Sequence, residues 1–316
     1  MNKRVIWGAA ACILIPYTTT LAWTGSIQGE EFRCEQQKEA GTGKRILLDR
    51  GTGIYYMDIE EYLPGVLARQ IPVSYEPEAI KAQAIVARTY ICGQMEAEGA
   101  EEIAESALDM DWLEAEQLKK LWGTSRFPEY YKKLEEAVKA TSGIVIVWEG
   151  SMIEPRYCRA TAGRTRKGDS AHPYFWPVEC PKDQETEGAV QLLTFSKEEF
   201  ARKINEIPEP QEDRRTVSAD QLPDQIQIGS RDESGYVENL QIGVSQYTGE
   251  EVQYALGLAS SCFVLEPWED GIRAVVKGIG HGYGLSQAEA NERAKEGWKA
   301  EDILKYFYKN VAFISV

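Results

Sequence analysis

Strand pairs interleaved with helices predict an α+β fold, with a mixed, mainly antiparallel sheet core, packed helices and an inserted helical lobe. Three observations carry this. Turn residues sit between short apolar runs in "RILLDRGTGIYYMD", "GIVIVWEGSMIEP" and "SCFVLEPWEDGIRAVVKG", which reads as three antiparallel hairpins. An alanine-rich helical run, "PEAIKAQAIVARTYICGQMEA", has the small side chains that allow close packing on its neighbours. The chain has 316 residues, 43% of them hydrophobic, enough for a substantial core.

Taken in order, residues 1–24 hold Lys3 and Arg4 and then an apolar run towards Trp23, so they predict an N-terminal membrane anchor or signal segment. No small-x-small cleavage site follows, so an uncleaved anchor is preferred to a cleaved signal, and either exports the body. Residues 25–44 form a polar spacer, and residues 45–316 the acting domain. The first hairpin turns at Arg50 to Gly53, and "IEEYLPGVLARQI" follows as a helix whose first turn tolerates Pro64. Pro77 and Glu78 suit the start of the alanine-rich helix.

Residues 97–140 are acidic and helical, and are expected to project as the inserted lobe. The next hairpin turns at Glu149-Gly150. Residues 162–190 and 205–235 read as loop, and "NEIPEPQEDRR" as a boundary. "YVENLQIGVS" is a strand, and "TGEEVQYALG" a short helix from Thr248 to Gly257. The last hairpin turns at Asp270-Gly271. A glycine-rich loop, "GIGHGYG", then enters a helix stopping at Gly297, and "AEDILKYFY" closes the chain as a helix.

A formal net charge of -15 argues against nucleic acid as a partner. Outside the apolar run stand Cys34, Cys92, Cys158, Cys180 and Cys262, an odd number. At least one thiol is therefore free, metal-bound or intermolecular.

Two stretches, "EEYLPGVLARQIPVSYEPEAIKAQAIVARTYI" and "GHGYGLSQAEANERAKEGWKAEDILKYFY", resemble the signature blocks of the stage II sporulation protein D family, which includes the amidase enhancer of cell-wall hydrolysis. "YCRATAGRTR", "WPVECPKD" and "GEEVQYALGL" match further blocks in order. The resemblance implies a membrane-anchored, extracytoplasmic protein of forespore engulfment. It implies lytic transglycosylation of peptidoglycan glycan strands already stripped of stem peptides, with a sporulation amidase and engulfment-complex membrane proteins as partners. The family's catalytic Glu lies in a Val-x-x-Glu-Met-Pro motif, which stands here as Leu67 to Pro72 with Gln70 at the acid position.

Cleavage between sugars needs an acid to protonate the leaving oxygen, and an amide has no such proton. Gln70 therefore implies a protein in which glycan binding outweighs cleavage. The alternatives are an active transglycosylase with a substitute carboxylate (Glu60, Glu61, Glu76 and Glu78 are the nearby ones) or a non-catalytic enhancer of an amidase. The family blocks also mark Arg88, His281, Tyr283, Ser286 and Gln287 as substrate-binding residues expected to converge on Gln70. For Arg88 a structural ion pair is the competing role. The glycines around His281 suit close backbone approach better than phosphate binding. A branch of the family binds zinc near the position of Cys158, so Cys158, His172 and Cys180 form a candidate zinc set. A Cys158–Cys180 disulfide competes with it, and no cofactor is required.

Overall fold

The computed structural model describes residues 43–208 and 216–316. The proposed anchor and most of the spacer lie outside the described residues. Among the described residues, no helix is long and apolar enough to cross a membrane.

The first hairpin forms as read: β1 (Arg45–Asp49) pairs antiparallel with β2 (Ile54–Asp58). Asp58 then caps helix α1 (Ile59–Gln70) by accepting from the Glu60 N–H, and Pro64 sits inside that helix. Helix α2 (Pro77–Glu98) starts on its proline and ends at Gly99, whose φ of 64° is the left-handed conformation glycine adopts without strain.

Thirteen residues of α2 are buried, because the helix is apolar on two sides. One side, with Ile80, Ala84, Ala87 and Ile91, packs with Ile59, Leu63 and Leu67 of α1. The other, with Ala79, Ala82, Ile85 and Val86, packs with Ile303, Leu304 and Phe307 of the C-terminal helix.

Residues 97–140 pack onto the body at both ends. β3 (Glu102–Ala104) joins β1 in parallel. After α3 (Ala115–Trp122), helix α4 (Phe127–Ala140) buries Leu134, Ala137 and Val138 in the same core as α1 and α2. The charge runs are the outer face of an amphipathic helix, and the burial of its apolar stripe decides where it goes.

The expected hairpin at Glu149-Gly150 is present between β4 (Ile144–Trp148) and β5 (Ser151–Met152), with both turn residues at positive φ. β4 also pairs with β14 (Ala312–Ser315), a terminal strand the sequence reading missed.

The separate core lies between residues 190 and 277. One of its sheets has the order β11-β12-β7, from β7 (Val190–Ser196), β11 (Phe263–Trp268) and β12 (Gly271–Lys277). The other has the order β10-β9-β8, from β8 (Ile226–Arg231), β9 (Val237–Ile242) and β10 (Ser245–Thr248). Helices α5 (Lys197–Asn205) and α6 (Gly249–Leu256) pack with them through Phe200, Ile204, Val252 and Leu256. Thr248 and Glu251 form a reciprocal cap at the start of α6. The β11–β12 turn falls at Glu269-Asp270, one residue before the expected position, since Trp268 pairs with Gly271.

This lobe leaves and re-enters the main body side by side. β6 (Tyr157–Cys158) and β13 (Leu285–Ser286) pair in parallel on either side of the insertion. The loop before β13 lies tightly on its surroundings. A Cβ at Gly284 would collide with the Arg156 carbonyl, and one at Gly282 with the Tyr236 ring. Helices α7 (Gln287–Lys295) and α8 (Ala300–Phe307) complete the body.

Candidate functional site

Gln70 is the last residue of α1, where the chain leaves the helix before Pro72. Two adjoining cavities, of about 340 and 520 Å³, meet at this residue. Both are lined by Gln70, Asp109, Met110 and Tyr157. The first adds Tyr90, Glu154, Arg156 and His281, and the second adds Arg69 and Asp111. Concave volumes of this order with a few convergent polar groups are the usual form of a ligand site.

Three glutamines join here from three helices. Gln83 of α2 donates from Nε2 to Gln70 Oε1 at 2.9 Å. Gln287, the first residue of α7, donates from Nε2 to the Gln70 carbonyl oxygen at 2.7 Å and to Gln83 Oε1 at 3.2 Å. That carbonyl belongs to the last turn of α1, where no N–H of the helix remains to meet it. Gln83 is fully buried and Gln287 nearly so.

His281 lines the first cavity, and its Nδ1 accepts from the Tyr283 N–H at 3.0 Å. Burial, with Arg156 and Arg166 nearby, lowers its pKa to about 4, so the imidazole is neutral at ordinary pH. Tyr283 itself stacks with Arg166 and Arg156, whose guanidinium carbons lie 4.4 and 5.7 Å from its ring centre. It does not line the two cavities at Gln70. Ser286 is buried, caps α7 and donates to Asp183 Oδ1 at 2.7 Å. That is a structural task rather than a groove contact.

Arg88 does not reach the site. It is wholly buried on the other side of α2, where Nε and Nη2 bind the two Glu60 carboxylate oxygens at 2.7 and 2.6 Å. It also donates to the Val138 and Ile144 carbonyls. Five positions separate Arg88 from Gln83 on α2, which turns it towards α4 and β4 rather than towards Gln70. Of the two roles weighed for Arg88, the structural ion pair is the one built.

The carboxylates weighed as substitutes also lie elsewhere. Glu60 holds Arg88; Glu78 pairs with Lys81 and accepts from the Ala300 N–H; Glu61 lines a different cavity beside Trp112 and Tyr131. Glu76 lines neither cavity at Gln70. The carboxylates that do line the site are Asp109, Asp111 and Glu154. Asp111 pairs with Arg69 at 2.9 Å. Burial works against ionisation of Glu154, but hydrogen bonds from Arg156 and His172 outweigh it and lower its pKa. Tyr157, pushed up to about 12 by burial and by Asp111 and Asp109, stays protonated as a donor.

Cys158, His172 and Cys180 are not assembled as a ligand set. His172 sits between Asp169 Oδ1 at 2.7 Å and Glu154 Oε2 at 2.9 Å, which occupies both ring nitrogens. Cys158 and Cys180 are buried free thiols, so the disulfide is not formed either. Among the described residues, no group of three or more His, Cys, Asp or Glu side chains is arranged to hold a metal.

The sequence reading missed Gln83, Tyr90, Asp109, Glu154, Arg156 and Tyr157. Gln83 left a trace, as the amide between Ala82 and Ala84 in the alanine-rich half of a helix apolar on two sides.

An α+β body whose groove brings one amide, two tyrosines and a neutral imidazole together with Asp109, Asp111, Glu154, Arg69 and Arg156 has the form of a site for a polar ligand. The comparisons place it more closely. Residues 49–148 match the model of the stage II sporulation protein family. The chain is 33% identical over 284 residues to stage II sporulation protein D of Bacillus amyloliquefaciens, covering 87% of this chain and 79% of that one. It is 32% identical over 261 residues to the protein of that name from Bacillus subtilis, covering 79% and 73%. The amidase enhancer of Bacillus subtilis is 24% identical over 304 residues, covering 80% of this chain and 40% of the enhancer. The chain belongs to the stage II sporulation protein D family.

Proposed function

We propose that this protein binds peptidoglycan glycan strands, already stripped of stem peptides, in the groove at Gln70, and that binding outweighs cleavage. The observation that carries this reading is the position of Gln70. It stands where two cavities meet, held by two further amides, with no titratable proton to give. Family membership supports a sporulation cell-wall role. The amidase enhancer among the relatives supports interplay with a cell-wall amidase. On this reading residues 1–24 anchor the domain on the extracytoplasmic face of the membrane, beside the engulfment proteins.

The test is to incubate purified protein with amidase-treated glycan and assay anhydro-muramyl ends. The wild type should release few or none. Gln70→Glu should raise release by about 10²-fold or more, the size of a general-acid contribution.

One observation favours a second reading, an active transglycosylase. Asp109 lines both cavities and forms no ion pair among the described residues. Strong release by the wild type that is abolished by Asp109→Asn would move the activity to that carboxylate.

A further inference from the structure

We propose that Gln83 and Gln287 fix the side-chain amide of Gln70 so that its NH₂ group faces the groove, as a donor to an acceptor oxygen of the bound glycan. This rests on the reading that the groove takes glycan, and it names the polarity of the contact and the residues that set it.

The argument starts from one atom whose role cannot be exchanged. A backbone carbonyl oxygen only accepts hydrogen bonds. Gln287 lies 2.7 Å from the Gln70 carbonyl, so the atom facing it is the NH₂ nitrogen. The same nitrogen lies 3.2 Å from the Gln83 amide, which must therefore present its oxygen. Gln83 then has only its NH₂ left for Gln70, and donates to Oε1 at 2.9 Å. A reversed Gln70 amide would set two NH₂ groups against each other, and the burial of Gln83 and Gln287 makes such a clash expensive.

The Nε2 of Gln70 is the group left over, and Gln70 is the one member of the three that lines the cavities. The amide thus offers the groove what a protonated carboxylic acid at this position would offer, a donor aimed at a sugar oxygen, without a proton to transfer. Gln83 and Gln287 act through Gln70 and are positioning residues. The acceptor that fits is a glycosidic or acetamido oxygen.

The test is a double-mutant cycle on the affinity of the full-length protein for soluble, peptide-free glycan strands. In Gln83→Glu the carboxylate accepts from Gln70 Nε2, turning the amide so that Oε1 faces the ligand. Affinity at neutral pH should fall about tenfold, the scale of one hydrogen bond lost against an unpaired acceptor. Lowering the pH until Glu at 83 is protonated restores a donor to Gln70 Oε1, so the affinity of the variant relative to the wild type should recover; the ratio is read because His281, Asp109, Asp111 and Glu154 line the same cavities in both proteins and change both affinities alike. In a Gln70→Met background, Gln83→Glu should have no further effect.

If Gln83→Glu does not fold, Gln83→Met frees the amide to rotate. It should weaken binding about threefold, again only when Gln70 is present. Equal losses in both backgrounds, or no recovery at low pH, would mean that Gln83 acts through the fold and would overturn the proposal. A loss in Gln70→Met with Gln83→Glu indistinguishable from wild type would overturn the positioning alone. A Gln70→Met protein that binds like the wild type would overturn the donor, whereas a wild type that binds no glycan would overturn the glycan reading beneath it.

Discussion

Replacing Arg88 by methionine separates two roles that the sequence left side by side. The guanidinium is wholly buried and makes five hydrogen bonds: two to the Glu60 carboxylate, one each to the Val138 and Ile144 carbonyls, and one to Thr141 Oγ1 at 3.4 Å. Methionine fills much of the volume but leaves Glu60, whose side chain is 17% exposed, with the Gly143 N–H and no cation, and leaves the Val138 and Ile144 carbonyls without the Arg88 donor. Breaking one partner of such a buried pair costs about 3–5 kcal/mol. At about 2–4 °C per kcal/mol, the midpoint of thermal unfolding should drop by about 6–20 °C.

The assay is calorimetric or fluorescence-detected melting, alongside glycan affinity measured well below the lower midpoint. Affinity of the folded protein should be unchanged. The double variant Glu60→Met/Arg88→Met should recover most of the loss, because no unpaired charge remains. A single variant that melts within about 2 °C of the wild type yet loses glycan binding would refute the placement and return Arg88 to the groove.

Four further outcomes are expected. His281 has its pKa lowered to about 4 by burial and two arginines, against an ordinary 6.5, so its contribution to stability is present above pH 6.5 and lost as pH falls towards 4. Urea unfolding should show that slope in the wild type and a shallower one in His281→Gln. The buried Asp183 carboxyl has the opposite sign. Burial raises its pKa despite hydrogen bonds from Thr161 and Ser286, so its contribution is fullest below pH 3.8 and fades as pH rises. The stability of Asp183→Asn relative to wild type should therefore improve between pH 4 and pH 7. Cys158 and Cys180, buried thiols whose pKa burial pushes well up, should resist alkylation in the folded protein and react in urea. Chelator treatment should leave the melting temperature unchanged, and a drop would revive the Cys158, His172 and Cys180 set.

The sequence by itself determined the elements whose signals are local. Pro77 starts α2, Thr248 and Gly257 bound α6, and Glu149-Gly150 closes a hairpin, because caps and turns depend on residues within a few positions. It also determined that residue 70, at the end of α1, is an amide. Only the tertiary structure decided which faces of those elements meet. The acidic stretch 97–140 was expected to project because its charges are conspicuous. Leu134, Ala137 and Val138 instead bury its other face, and the separate core lies at 190–277. Arg88 and Gln83 share one helix and one signature block, yet rotation about the helix axis sends one to Glu60 and the other to Gln70. Such a rotation has meaning only once neighbours are in place. The parallel pairing of β6 with β13 brings His281 and Gln287 to the end of α1, a juxtaposition across more than two hundred residues that no local pattern encodes.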